Sequence, residues 1–143
     1  MANVLEGSVS AKPFERLANH HLVSSWFGCW PSFHDGEVHR ITLDRTGNLA
    51  PSLELDLRGW LLTKSGSGEL VQSKVALVSF RFEGISDLNL EGFNGQNVIT
   101  ALHVTEVERG AQLNIELEHC YQFACSFKAQ SGKVVALRIV EQS

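Results

Sequence analysis

Trp26-Phe-Gly-Cys-Trp-Pro-Ser-Phe-His-Asp-Gly-Glu-Val-His-Arg-Ile-Thr-Leu-Asp44 is the stretch on which the reading of the fold turns. Two of the three tryptophans, a proline, two of the six histidines and a triplet of carboxylates fall within it, a density that recurs nowhere else in the chain. Pro31 has no N–H to donate and pushes Trp30 toward an extended conformation, so a helix running through Trp26 ends near Cys29 and a strand begins around Glu37. Pro31 to Gly36 form the corner between the two. Such a corner reads in two ways: as a loop site held by rigid neighbours, or as an aromatic plug closing one end of a core.

Upstream of the corner, Phe14, Leu17, Ala18, Leu22 and Trp26 recur close to helical spacing, with Lys12, Glu15, Arg16 and Asn19 mostly between them. Pro13 belongs in a first turn and Gly28 suits a terminus, which predicts one amphipathic helix over about residues 11–27. Downstream the pattern is strand throughout. Ser52 to Arg58 alternates cleanly, with Leu53, Leu55 and Leu57 on one face and Glu54, Asp56 and Arg58 on the other. The preceding turn is expected over Arg45–Asn48, and Thr63–Glu69 reads as a hairpin tip. From Ser73 to Glu83 both alternating sets are largely apolar, which predicts a central strand covered on both sides.

Ile85 to Gly92 reads as a short edge strand, and Asn94-Gly95 as a turn accepting positive φ. Val98–Glu108, Ala111–Glu118, Tyr121–Lys128 and Lys133–Glu141 complete a meander with turns at Arg109-Gly110, Glu118–Cys120 and Gln130–Gly132. In the last hairpin Tyr121, Phe123, Cys125 and Phe127 share a face that Val135, Leu137 and Ile139 can pack against. The expected architecture is α+β and predominantly antiparallel β. One N-terminal helix packs on a curled or two-layer antiparallel sheet of about seven or eight strands in meander order, from about residue 37 onward.

A chain of 143 residues with 43% hydrophobic and 20% charged residues accommodates one core, so a single domain over 1–143 is expected. The formal charge of −4 lacks the positive field that phosphate backbones attract, which disfavours direct nucleic-acid binding. Met1–Ser8 has no basic region followed by an apolar run, and no apolar run of spanning length occurs. Cys29, Cys120 and Cys125 make an odd count that suits reduced thiols, so a cytoplasmic location without membrane insertion is expected.

His34, Asp35, Glu37 and His39 are residue types that zinc or another transition ion takes as ligands, which would support a metal-dependent or small-ligand-binding enzyme. No second His/Cys cluster stands at ligand spacing, and His34 and Asp35 can instead satisfy the corner's own backbone. Neither a metal nor a cofactor is therefore expected. Cys120 follows His119 directly, so the two face apart on a strand, and buried small thiols account better for Cys120 and Cys125 than nucleophiles do. Asn94, Gln96 and Asn97 form a second polar corner, read primarily as a self-satisfied turn.

The segments Phe27–Val38 and Phe82–Val98 resemble, respectively, the W-P-S-F-H-D-x-E-V signature and the F-N-x-Q-N block of the immunity protein 50 family of bacterial polymorphic toxin systems. The likeness covers about residues 22–140. It implies a small cytoplasmic protein that binds a cognate toxin domain and neutralises it by occlusion, without catalysis. By position, Trp30, Pro31, Ser32, Phe33, His34, Asp35 and Glu37 match the first motif, and Phe93, Asn94, Gln96 and Asn97 the second. Gly36 stands where a small residue such as Ala or Ser is expected. A motif that defines a family can define its fold and leave toxin contact to solvent-facing strands, where Glu54, Asp56, Glu116 and Glu118 are candidate acidic contributors. A homodimer through a sheet edge is a further possible assembly.

Overall fold

One long antiparallel ribbon bends in its middle, and that bend turns the strand pattern into two layers. The computed structural model describes residues 12–46, 51–108 and 110–140. Over them a 3-10 turn (Pro13–Arg16) and helix α1 (His21–Phe27) precede the strands. These are β1 (Glu37–Asp44), β2 (Ser52–Lys64), β3 (Leu70–Glu83), β4 (Ser86–Glu91), β5 (Ile99–Val107), β6 (Gln112–His119), β7 (Ala124–Ala129) and β8 (Ser131–Ile139). They form two four-stranded sheets, in orders β1-β2-β3-β8 and β4-β7-β6-β5, with antiparallel pairing throughout.

β3 runs into β4 and β7 into β8, and the two stay paired across the change of sheet: Val78 faces Leu137, Phe82 faces Gly132, Ser86 faces Lys128 and Leu90 faces Cys125. The bend sits at Gly84, whose φ of 66° is left-handed backbone that costs a residue without Cβ nothing. Across it the Gln130 N–H donates to the Glu83 carbonyl at 3.0 Å. The meander order therefore holds for β1-β2-β3 and β5-β6-β7, while β4 and β8 exchange partners across the bend. The expected β7–β8 hairpin does not form, because Gln130 alone separates the two strands and one residue cannot reverse the chain. Tyr121 lies ahead of β7 and is 90% exposed, so of its expected face only Phe123, Cys125 and Phe127 turn inward.

The inward sets of both sheets meet in one apolar cluster that includes Leu53, Leu55 and Leu57, Val78, Phe80 and Phe82, Leu113, Ile115 and Leu117. Phe82 and Phe127 meet edge to face across the layers at 5.1 Å. β3 is central in its sheet, as its apolar content predicts, but among the described residues no second layer of sheet covers its outer face. Leu77 is nonetheless 8% exposed, with Arg58 and Arg138 on either side of it in register, where their aliphatic stems shield it.

The expected continuous helix is broken. Its expected start at about residue 11 lies outside the described residues, and Leu17–His20 separate the 3-10 turn from α1. Ala18 makes a parallel bridge to the β8 edge: its N–H donates to the Gly132 carbonyl at 3.0 Å, and Val134 donates to its carbonyl at 2.8 Å. Asn19, at φ 62°, turns the chain away again. Pairing with a sheet edge and burial of Leu17 outweigh the weak helical preference of this short segment. α1 buries Val23 and Phe27, leaving Leu22 exposed, and ends on left-handed Gly28.

Candidate functional site

The Trp26–Asp44 stretch folds as a plug with a polar rim. Trp30 stacks on Phe14 at 4.7 Å and 11°, and meets Phe33 and Phe80 edge-on. Phe33 is 1% exposed and occupies the space above Gly59, where a Cβ would stand 2.7 Å from its ring. Its own backbone is left-handed (φ 61°), as is that of Asp35 (φ 60°). These two reversals drop one side chain into the core and lift the next out. The backbone polar groups are taken up by β5: Asp35 N–H donates to Ile99 O at 3.0 Å, Ile99 N–H to Gly36 O at 2.9 Å, and Leu102 N–H to Ser32 O at 2.9 Å. Gly36 is tightly held, since a Cβ there would lie 3.0 Å from the Phe33 and Arg58 carbonyl oxygens.

The second motif closes against the first. Asn97 is 4% exposed, and its amide donates to Val38 O at 3.3 Å and Asn94 O at 2.9 Å while accepting from Asn94 N–H at 2.7 Å. Val38 N–H donates to Asn97 O at 2.9 Å, and Glu37 bridges Val98. Thus residues 59 positions apart in sequence become a single latch between β1 and the start of β5. Asn94 shapes the turn through its side chain, accepting from Gln96 N–H at 2.9 Å. The positive φ expected at Asn94-Gly95 falls instead at Gly92 (φ 69°). Phe93 is half-exposed and rests edge-on against Phe123.

The polar rim does not converge on one point. His34 Nδ1 lies 3.0 Å from the Thr100 carbonyl, which can only accept, so this nitrogen carries the hydrogen. Nε2 faces Asp35 Oδ2 at 3.5 Å, and His39 Nε2 faces Glu37 Oε1 at 3.6 Å, all four side chains being substantially solvent-accessible. Among the described residues no group of three or more His, Cys, Asp or Glu is placed to hold a metal ion. Cys120 and Cys29 are exposed, contrary to the expected burial of Cys120. Cys125 is buried on the inner face of β7, and burial pushes its thiol up to about 12, which keeps it protonated and unreactive.

The four acidic candidates lie on opposite faces. Glu54 and Asp56 are on the outer face of the β1-β2-β3-β8 sheet, where Glu54 pairs with Arg81 and Asp56 accepts from Ser79 at 2.7 Å. Arg81 also holds Glu83, whose carboxyl that guanidinium keeps below its ordinary range. Glu116 and Glu118 are on the outer face of the other sheet, together with Asp87 and Glu91. There the strands carry Lys128, paired with Asp87, and His103, paired with Glu118 at 2.7 Å. Unneutralised negative charge therefore gathers on the β4-β7-β6-β5 face.

A cleft of about 350 Å³ runs between Cys29–Asp35 and Trp60–Leu62. The corner side of this cleft is visible in the sequence; the β2 side is not. Its only sequence signal is the loss of alternation at Trp60-Leu61-Leu62, which the structure resolves as a register shift between Gly59 and Leu61.

These features define a class: an antiparallel two-sheet protein closed at one end by its most distinctive motif, with that motif's polar members at a solvent-facing rim. The family model described as Immunity protein 50 matches residues 19–136, a span containing both motif corners, and the chain belongs to that family. No curated protein and no solved structure matches the chain.

Proposed function

We propose that this protein is an immunity protein that acts in the bacterial cytoplasm, binding a cognate toxin domain and neutralising it by occlusion, with no chemical step. The family match over residues 19–136 carries the reading. The geometry supports it: the residues nearest to a reactive constellation sit as two separate solvent-accessible pairs, His34 with Asp35 on the plug and Glu37 with His39 at the start of β1. None of the helices is long and apolar enough to cross a membrane among the described residues. The whole chain is taken as one immunity domain.

The charge distribution favours the outer face of the β4-β7-β6-β5 sheet as the surface that meets a basic toxin, because its four carboxylates Asp87, Glu91, Glu116 and Glu118 face only Lys128 and His103, whereas Glu54 is paired with Arg81 on the other face. Co-expression with the toxin encoded by the neighbouring gene tests the function: growth is rescued by this protein and a complex co-purifies. Reversal of Glu116 and Glu118 to Lys lowers the association rate, whereas reversal of Glu54 and Asp56 leaves it unchanged. Absence of both rescue and complex refutes the reading. The two sheets end at β1 and β8 and at β4 and β5, and light scattering on the isolated protein reads directly whether one of these edges pairs with a second copy.

A further inference from the structure

We propose that the cleft between the plugged corner and the β2–β3 hairpin seats an arginine side chain of the toxin; the inference rests on the immunity reading above and names the anchor. The walls are apolar, formed by Trp30, Pro31, Phe33, Trp60, Leu61 and Leu62, and the mouth carries His34 and Asp35. Because the Thr100 carbonyl requires the hydrogen on His34 Nδ1, the neutral ring presents a lone pair at Nε2. That lone pair faces Asp35 Oδ2 across 3.5 Å, two acceptors side by side. Among the described residues neither atom receives a hydrogen bond from another protein group. With the ring neutral, the pair lacks a donor.

A guanidinium supplies what is missing. Its planar fork offers several N–H donors to adjacent acceptors, and its positive charge answers Asp35. Its three methylenes need an apolar wall of the kind Trp60, Leu61 and Leu62 provide. An ammonium is a compact, strongly hydrated point charge and fits a pair of separated acceptors less well.

Two surroundings reinforce the assignment. The acidic outer face of the β4-β7-β6-β5 sheet reaches this mouth through Thr100, whose carbonyl holds His34 and whose neighbour Ala101 faces Glu118. A basic partner drawn to that face arrives at the cleft. On the opposite side β2 presents Leu62, 59% exposed, which lines the cleft beside the charged contact with apolar surface that excludes water once covered.

Two measurements decide the matter. The isotope-labelled full chain is titrated with Nα-acetyl-arginine amide and with its citrulline and lysine counterparts. The arginine compound shifts the backbone amides of residues 29–35 and 60–62, the citrulline compound does not, the lysine compound does so more weakly, and Asp35→Asn abolishes the response. Asn accepts the left-handed φ of position 35, so this variant keeps the fold. An equal response to citrulline or to lysine, no response to arginine, or a response unchanged in Asp35→Asn overturns the assignment. In the second measurement the toxin domain encoded by the neighbouring gene is titrated into wild type, Asp35→Asn and Leu62→Ser. Each variant binds at least about tenfold more weakly, the loss expected when one side of a desolvated anchor is removed. If wild type binds and both variants match it within about twofold, well under the tenfold that 1.4 kcal/mol represents, the arginine seat is refuted and the immunity reading stands. If wild type itself fails to bind, the immunity reading falls and takes the toxin anchor with it.

Discussion

The contact between Phe33 and Gly59 allows the plug to be tested by a sign reversal. Gly59 lies in β2 with Phe33 pressed onto it, so an added Cβ would stand 2.7 Å and 2.9 Å from two ring carbons of Phe33 and 3.7 Å from Phe27. The Phe33 ring is itself wedged edge-on among Phe27, Trp30 and Phe80 and cannot swing aside without disturbing them. Gly59→Ala alone therefore costs about 1–3 kcal/mol as an overpacking substitution. Phe33→Ala alone empties a 1%-exposed aromatic site and costs about 3–5 kcal/mol. In combination the new methyl group enters space the ring has vacated. It then collects the ordinary advantage of Ala over Gly inside a strand, about 0.5–1 kcal/mol. The double variant is thus as stable as Phe33→Ala or slightly more so, giving a coupling of at least about 1 kcal/mol against additivity. Urea unfolding of the four proteins measures it, with midpoints compared at constant slope. Additive costs within about 0.5 kcal/mol would show that the ring does not rest on Gly59. A Phe33→Ala cost under 1 kcal/mol would mean that the corner is not a plug.

Asn97→Ala removes a buried amide that joins Val38 to the Asn94 turn and lowers stability by about 2–3 kcal/mol, mostly through carbonyl and amide groups left unpaired; thermal or urea unfolding reads it. Of the three thiols, Cys29 and Cys120 react promptly with a disulfide reagent in the native protein, and Cys125 reacts only on unfolding. Burial raises the Cys125 thiol to about 12 from 9.0, so the stabilisation it gives is full below pH 9 and is lost as pH climbs toward 12. The contribution falls by about 1 kcal/mol between pH 9 and 10, and Cys125→Ala removes that part of the alkaline slope. On the acid side, Arg81 lowers the Glu83 carboxyl from 4.5, so this pair supports the fold above that value and ceases to as pH falls through the lowered one. Arg81→Met flattens that part of the acid unfolding profile.

What the sequence made legible follows from which forces act locally. The clean alternation of Leu53, Leu55 and Leu57 with Glu54, Asp56 and Arg58 reports one buried and one wet face, and β2 carries that pattern as read. Pro31 and Gly28 punctuate the chain where their backbones require it, so the helix end and the corner are placed correctly. The break at Ala18 was not legible, because what competes with the helix is the edge of a strand more than a hundred residues away. The exchange of β4 and β8 was hidden for a related reason: Gly84 and Gln130 look like turn residues singly, and only their pairing across the ribbon makes them one shared bend. Left-handed backbone at Phe33 escaped notice too, since a bulky residue takes that conformation only when its surroundings enforce it.

The same distinction explains why the motif was easier to find than its use. Trp30, Pro31, Phe33 and Asn97 are demanded by the closure they build, and each is spent inside the molecule on a ring contact, a fixed φ or a backbone hydrogen bond. Ser32, His34 and Asp35 lie between them on the same turn yet point to solvent, because left-handed backbone at Phe33 and again at Asp35, on either side of His34, sends Phe33 inward and its neighbours outward. A plug that must be rigid to close the core thereby holds the His34–Asp35 acceptor pair rigid as well, at no additional ordering cost when a partner arrives. Loosening the plug should then weaken toxin binding even where no contact residue is changed. Gly59→Ala, which touches Phe33 from below, should lower affinity along with stability, whereas a variant of equal stability cost in the bent ribbon, such as Gly84→Ala, should leave affinity alone. Equal affinity in the two variants would separate the plug from binding altogether.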